Sequence, residues 1–106
     1  MISRKDFEML KKQYAQDKKT CKVTFVLPDE VNASEVQLHG DFTKWEKDPV
    51  KMKHYKDGNF KTSVTLKSGK QYRFRYQLDS ERWENDWQAD AYTPNEFGSE
   101  DSIVKV

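Results

Sequence analysis

The sequence predicts an all-β protein built from short antiparallel strands, arranged as a sandwich or a barrel. Three observations support this prediction: apolar residues alternate with polar ones from Thr20 onward, tight-turn signals separate the alternating runs, and no helical pattern lies between them. The chain has 106 residues, which is the length of one domain. Hydrophobic and charged residues each contribute 35%, so we expect a small core under a highly polar surface.

A short helix is predicted before the strands, over residues 3–17. Ser3 is a suitable N-cap, and three apolar residues follow it at helical spacing and form one narrow stripe. The stripe consists of Phe7, Leu10 and Tyr14. We therefore divide the chain into a helical extension, residues 1–19, and a β-sandwich, residues 20–106. The stripe either packs on its own domain or offers a contact to another protein.

Five alternating runs predict the strands of the sandwich. In order they are CKVTFVL, EVQLHG, NFKTSVTL, KQYRFRYQL and SIVKV. The fourth run is the clearest, because its aromatic residues share one face while Arg73 and Arg75 occupy the other. Gly58 and Gly69 lie in the turn sequences KDGN and KSGK, where a residue that accepts positive φ favours a tight hairpin.

The composition argues against several classes of partner. With 19 basic and 18 acidic residues the net charge is +1, whereas nucleic-acid binders usually carry a strong basic excess. No apolar run is long enough to span a membrane, and the start lacks the apolar core of a signal peptide. We therefore expect a cytoplasmic protein with neither a membrane nor a nucleic acid as its partner. Cys21 is the only cysteine, which excludes an internal disulfide and favours a small buried side chain.

The residues favour neither catalysis nor metal binding. Acidic side chains are plentiful after Leu78, but nothing places two of them in a deep cleft, as a glycosidase would require. His39 and His54 lie far apart in the chain and have no partner at the spacing of metal ligands. We expect no enzymatic activity, no metal and no cofactor.

Three longer stretches carry a family resemblance. They are VQLHGDFTKWEKDPVKM (Val36–Met52), GKQYRFRYQLDSERW (Gly69–Trp83) and PNEFGSEDSIVKV (Pro94–Val106). In this order and spacing they resemble the family-48 carbohydrate-binding modules, the early-set domains at the front of isoamylases and glycogen-branching enzymes, and most closely the small stand-alone bacterial form. The resemblance implies an immunoglobulin-like β-sandwich that binds α-glucans such as glycogen or starch. It implies no catalysis, although relatives are fused to glycoside hydrolases.

The resemblance also implies a set of sugar contacts. They are Trp45, Arg75, Trp83, Phe97, Ser99 and Asp101. The two tryptophans match aromatic platforms that stack on glucose rings, the arginine matches a donor to sugar hydroxyls, and the other three match contacts of one loop. Arg73 and Trp87 are further candidates, because the stretch 73–101 combines indoles, cations and short polar side chains.

Three positions depart from the family pattern. Thr43 stands where the family often has Asn, Ser80 where it usually has Gly, and Asp101 where it often has Asn. The last change removes an amide donor and adds a negative charge. It therefore weakens the expectation that residue 101 contacts sugar.

Structural roles stay open beside the sugar contacts. Trp45 and Phe97 equally fit packing against the core, and Trp87 fits packing that holds Trp83 in place. Arg73 and Arg75 equally fit a solvated ladder of ion pairs. The competing function is a protein-interaction module of the same fold without a working sugar site. Its partner, for example a glycogen- or starch-active enzyme, would bind the apolar stripe of the predicted helix.

Overall fold

The computed structural model describes residues 8–106 and shows ten strands in that part of the chain. The strands are β1 (Leu10–Tyr14), β2 (Thr20–Leu27), β3 (Val36–Gly40), β4 (Val50–Lys51), β5 (Lys53–His54), β6 (Phe60–Lys67), β7 (Gln71–Leu78), β8 (Arg82–Glu84), β9 (Ala91–Pro94) and β10 (Glu100–Lys105). Between them, the described residues contain three 3-10 turns and no α-helix. The turns are Asp29–Val31, Asp41–Thr43 and Trp45–Lys47.

All strand pairs are antiparallel, and they form two sheets packed as a sandwich. Sheet 1 has the order β1-β2-β6-β5, and sheet 2 has the order β4-β3-β7-β10-β9 with β8 beside β7. The prediction of an all-β antiparallel sandwich is confirmed. No helix within residues 8–106 is long and apolar enough to cross a membrane.

The predicted N-terminal helix is wrong for the residues that the structure describes, because Leu10–Tyr14 forms strand β1. Its register with β2 runs from Leu10 opposite Phe25 to Tyr14 opposite Cys21. Residues four apart share one side of a helix and also one side of a strand, so the spacing of Leu10 and Tyr14 fits both structures. The antiparallel pairing with β2 stabilises the strand instead of the helix. Ser3 and Phe7, the other two residues of the helix prediction, lie outside the described residues.

The alternating runs bury the faces that their apolar residues predicted. Phe25 of β2 contacts Phe74 of β7 edge-on, with ring centroids 5.1 Å apart, and this contact joins the two sheets. The fully buried core side chains include Cys21, Val23, Phe25, Leu27, Val36, Leu38, Phe74 and Tyr76. Cys21 is thus a buried thiol in the core, as its place in the apolar phase of a strand predicted. On β7 the alternate residues Arg73, Arg75 and Gln77 face away from this core.

A single residue carries the chain from one sheet to the other. β4 pairs with β3 in sheet 2, β5 pairs with β6 in sheet 1, and Met52 alone separates them. Met52 is buried, and its N–H donates to the Val36 carbonyl at 2.9 Å. The two layers of the sandwich are therefore joined by covalent chain as well as by side-chain packing at this corner.

A tight turn folds β8 back onto β7. Asp79 and Ser80 both adopt left-handed backbone, with φ of 53° and 60°. The Asp79 carboxylate accepts the N–H groups of Ser34 and Glu35 at 2.8 and 2.9 Å, which holds the turn against the start of β3. Asp tolerates this conformation, and Ser80 adopts it where the family usually has Gly. The turn places Trp83 opposite Gln77 on the outer face of sheet 2.

Candidate functional site

A groove of about 940 Å³ lies on the outer face of sheet 2. Three segments form its walls: the turns after β3, the strands β7 and β8, and the loop between β9 and β10. The predicted site residues among its lining are Trp45, Arg73, Arg75, Trp83, Phe97 and Asp101. Ser99 and Trp87 are not part of the lining. Residues that are 56 positions apart in sequence are thus brought together on one open surface.

The backbone after β3 directs Trp45 toward the groove. Lys44 and Trp45 both have left-handed φ values, 57° and 55°, which cost about 1–3 kcal/mol each for residues with a β-carbon. Buried Thr43 supports this conformation, because its hydroxyl accepts the Gly40 N–H at 3.0 Å. The indole N–H of Trp45 donates to Asp41 at 3.0 Å, which fixes the direction of the ring. Trp45 is half-buried and lines the groove.

Trp83 forms a second aromatic wall and is 36% exposed. The Arg75 guanidinium lies 5.4 Å from the centroid of its ring, at a distance typical of a cation–π contact. The His39 ring meets the indole edge-on, with centroids 4.8 Å apart. These two neighbours hold the ring in place on the surface. The tryptophan therefore presents a supported platform instead of a freely rotating side chain.

The two arginines of β7 have different surroundings. Arg73 forms an ion pair with Asp101 at 3.8 Å, and its backbone N–H donates to Asp41 at 2.8 Å. Arg75 forms no ion pair with the residues that the structure describes, and its buried Nε meets no acceptor among them. A ladder of ion pairs thus accounts for Arg73 but not for Arg75. Within the described part of the chain, the arginine that the resemblance matches to a sugar donor is thus the one without a carboxylate partner.

The loop before β10 presents Phe97 to solvent. Asn95 organises this loop, because its side-chain oxygen accepts the N–H groups of Phe97 and Ser99 at 3.0 and 3.1 Å. Gly98 has a φ of 78°, the left-handed conformation that glycine adopts without strain. Phe97 is 82% exposed, so the alternative that it packs in the core is wrong. Its ring stands at the rim of the groove.

Trp87 lies outside the groove and packs against the hydrophobic core. Its indole N–H donates at 3.3 Å to Glu84 of β8, which is the residue that follows Trp83. This position agrees with the interpretation that Trp87 packs near Trp83 and holds β8. The structure therefore separates the three tryptophans into two that line the groove and one that supports the fold.

Sequence reasoning missed two polar residues that shape the groove, Asp41 and Asn95. Asp41 follows the last residue of β3 and accepts hydrogen bonds from Trp45 and Arg73. Asn95 begins the turn that ends at Gly98. Short acceptor side chains at the end of a strand, or three residues before a glycine, commonly bond to nearby backbone N–H groups. That local signal was available in the sequence, whereas the contact with Trp45 was not.

His39 is buried beneath the groove, 2% exposed, and its Nε2 lies 3.1 Å from the Gln77 side-chain oxygen. Burial lowers the pKa of His39 below 6.5. The hydrogen bond with Gln77, the negative charge of Glu46 and the Trp45 backbone offset this only in part. At pH values just below 6.5, His39 is therefore more often neutral in the folded protein than in the unfolded chain.

We expect acid to destabilise the protein through His39. Its folded-state pKa is lowered, so the stability that the neutral ring contributes is complete above pH 6.5 and is lost as the pH falls below that value. The melting temperature of the wild type should fall by a few degrees between about pH 7 and pH 5, and His39→Gln should reduce this slope. His54→Gln, at the exposed second histidine, is the control and should keep the wild-type slope. Equal slopes in all three proteins would contradict the assignment.

Comparison with known protein families gives one match. The model of the carbohydrate-binding module 48 (isoamylase N-terminal domain) matches residues 17–93, most of the chain. The matched span includes Trp45, Arg75 and Trp83 and ends before the loop that carries Phe97. Such domains are generally non-catalytic glucan-binding modules, and no catalytic domain is matched. Comparison with curated proteins found no match.

Proposed function

Since the chain belongs to the carbohydrate-binding module 48 family, we propose that it binds α-glucans of the glycogen or starch type and performs no chemistry on them. We also assign its sandwich to the immunoglobulin-like early-set type. The observation that supports the function most directly is the groove itself. Two tryptophans from separate segments, an arginine that forms no ion pair within residues 8–106 and an exposed phenylalanine line one open surface.

These side chains match the two kinds of surface on a glucose ring. The faces of the ring present C–H groups, which an indole covers with a gain of about 25 cal/mol per Å² of apolar area removed from water. The rim presents hydroxyl groups, which accept hydrogen bonds from a planar guanidinium. Trp83 and Arg75 are in contact with each other and line the same groove, so both lie within reach of one glucan chain. Arg75 backs one face of Trp83, and we assign the sugar to the other face.

Trp45 and Phe97 extend the apolar lining beyond one sugar ring. Both lie in the same groove as Trp83 but on different segments of the chain. A glucan of several residues would meet more than one of these rings. The site is open and wet, so we expect a Kd on the order of 10 µM to 1 mM for a soluble oligosaccharide.

Trp83→Ala should weaken glucan binding at least about tenfold, because it removes the platform and the ring that orients Arg75. Binding is measured by titration with β-cyclodextrin or maltoheptaose followed by tryptophan fluorescence, and by retardation in glycogen-containing gels. Tyr55→Ala is the matched control, since that exposed ring lies outside the groove. Equal affinities for wild type and Trp83→Ala would exclude the platform role of Trp83.

The competing function is a protein-interaction module, and the helical surface predicted for it is wrong for the residues that the structure describes. Leu10 packs partly buried against the core from strand β1, and Tyr14 lies on the same strand, so there is no helical stripe in the described part of the chain. Wild-type protein that migrates unretarded in glycogen gels and does not respond to oligosaccharide would favour the interaction module. The same titrations therefore decide between the two functions.

A further inference from the structure

We propose that Asp101 is a positioning residue which, together with Arg73, braces the two walls of the groove, and that it does not contact the sugar. This proposal builds on the proposed glucan binding. It concerns a chain of polar contacts that runs across the floor of the groove from Trp45 to the loop of Phe97. The members of this brace are Trp45, Asp41, Arg73, Asp101 and Asn95.

The first half of the brace ties Trp45 to strand β7. One carboxylate oxygen of Asp41 accepts the Trp45 indole N–H at 3.0 Å, and the other accepts the Arg73 backbone N–H at 2.8 Å. Each oxygen has a geometry typical of a strong hydrogen bond to an ionised acceptor. The direction of the Trp45 ring is therefore fixed relative to the backbone of β7, the central strand of sheet 2.

The second half ties the same strand to the loop that carries Phe97. The Arg73 guanidinium is 3.8 Å from one carboxylate oxygen of Asp101, and the other oxygen accepts the Asn95 side-chain N–H at 3.1 Å. Asn95 in turn accepts the backbone N–H groups of Phe97 and Ser99. Arg73 thus joins both halves, through its backbone on one side and its side chain on the other.

Asp101 is poorly placed to contact a sugar. It is only 6% exposed, and each of its carboxylate oxygens already has a protein partner. A buried carboxylate needs such partners, because an uncompensated charge away from water is strongly unfavourable. The negative charge, which the family pattern frequently lacks at this position, is used here to hold Arg73.

The brace sets the separation of the groove walls. If the link through Asp101 is cut, these polar contacts no longer fix the loop of Phe97 relative to β7. The Phe97 ring, which is 82% exposed, then loses its fixed position. Affinity then falls because the site must be ordered when the ligand binds, and not because a sugar contact is lost.

The test compares Asp101→Asn and Arg73→Gln with the double variant. Asp101→Asn keeps the size of the side chain and an oxygen acceptor for Asn95, but removes the charge. Each single variant should weaken maltoheptaose binding by about three- to tenfold, and the double variant should be no weaker than the weaker single variant. Arg82→Gln is the matched control, because it breaks the ion pair with Asp79 outside the groove. Independent, multiplying losses, or unchanged or tighter binding in Asp101→Asn, would overturn the brace.

A second measurement separates the brace from the proposed function. In ligand-free protein, the indole N–H resonance of Trp45, assigned with Trp45→Phe, should shift in Asp101→Asn and in Arg73→Gln, while that of Trp87 stays in place. This resonance requires no sugar, so it reports on the brace even if wild-type protein binds no glucan. If the wild type bound no glucan, the proposed function would be excluded but the brace would not. A Trp45 resonance that is unchanged in both variants would overturn the brace, whatever the titrations show.

Discussion

Gly40→Ala is expected to lower the free energy of unfolding by about 2–3 kcal/mol. A β-carbon at this position would lie 2.7 Å from the Arg73 carbonyl oxygen and 2.9 Å from the Phe42 ring. The backbone φ of −174° is open to any residue, so the whole cost comes from this close approach. Arg73 cannot readily retreat, because its strand is paired with β3 on one edge and with β10 on the other.

The melting temperature of Gly40→Ala should fall by about 10–20 °C in thermal unfolding followed by circular dichroism. Gly69→Ala is the matched control. Its backbone φ is +79°, but no atom of another described part of the chain lies within 4 Å of an added β-carbon, so only conformational strain of about 1 kcal/mol is expected. If Gly40→Ala melted within a few degrees of the wild type, the contact between β3 and β7 would be more tolerant than these distances indicate.

Asp86→Ala should lower the free energy of unfolding by about 2–3 kcal/mol, because it leaves a buried hydroxyl without an acceptor. Asp86 is fully buried, and its carboxylate accepts the Tyr76 hydroxyl and the Gln88 N–H, both at 2.8 Å. Tyr76 is itself fully buried in the core. Denaturant unfolding measures the loss.

The double variant Asp86→Ala with Tyr76→Phe tests whether the Tyr76 hydroxyl causes the loss of stability in Asp86→Ala. Removing the hydroxyl from the Asp86→Ala protein should recover about 1 kcal/mol, since the fully buried tyrosine then no longer carries a donor without an acceptor. The same change in the wild type should instead cost stability. Strictly additive effects of the two substitutions would show that the hydroxyl is not what makes Asp86→Ala unstable.

The pH dependence at Asp86 has the opposite sign to that at His39. Burial raises the pKa of Asp86 above 3.8, and the hydrogen bonds from Gln88 and Tyr76 offset this only in part. The stability that its protonated form contributes is complete below pH 3.8 and is lost as the pH rises through the folded-state value. The acid sensitivity of the wild type between pH 7 and 5 is therefore best read from the difference between the wild type and His39→Gln.

The long strands could be predicted from the sequence because their side chains face two different environments. β2, β6 and β7 each run for eight residues, long enough for alternation to stand out. β4 and β5 have two residues each and carry no periodicity of their own. They are strands because β3 and β6 lie beside them. β1 was predicted wrongly for a related reason, since five residues with two apolar side chains fit a helix as well as a strand.

Residue types and the family resemblance predicted some of the side chains that line the groove, but not the geometry that brings them together. Trp45, Arg75 and Trp83 were identified in this way. The left-handed backbone at Trp45 could not be predicted, because nothing in the local sequence favours positive φ at an indole-bearing residue. Nor could the pairing of Arg73 with Asp101, which are 28 positions apart and meet only because β7 and β10 are neighbours.

The passage of the chain through Met52 has a consequence for protein engineering. One added or deleted residue between Val50 and His54 would shift β4 against β3 or β5 against β6, and a shift by one place exchanges the inward and outward sides of a strand. Lys51 and Lys53 point into solvent and should accept many replacements. This corner is thus permissive for amino-acid type and intolerant of length, so peptide tags or fused domains belong elsewhere on the molecule.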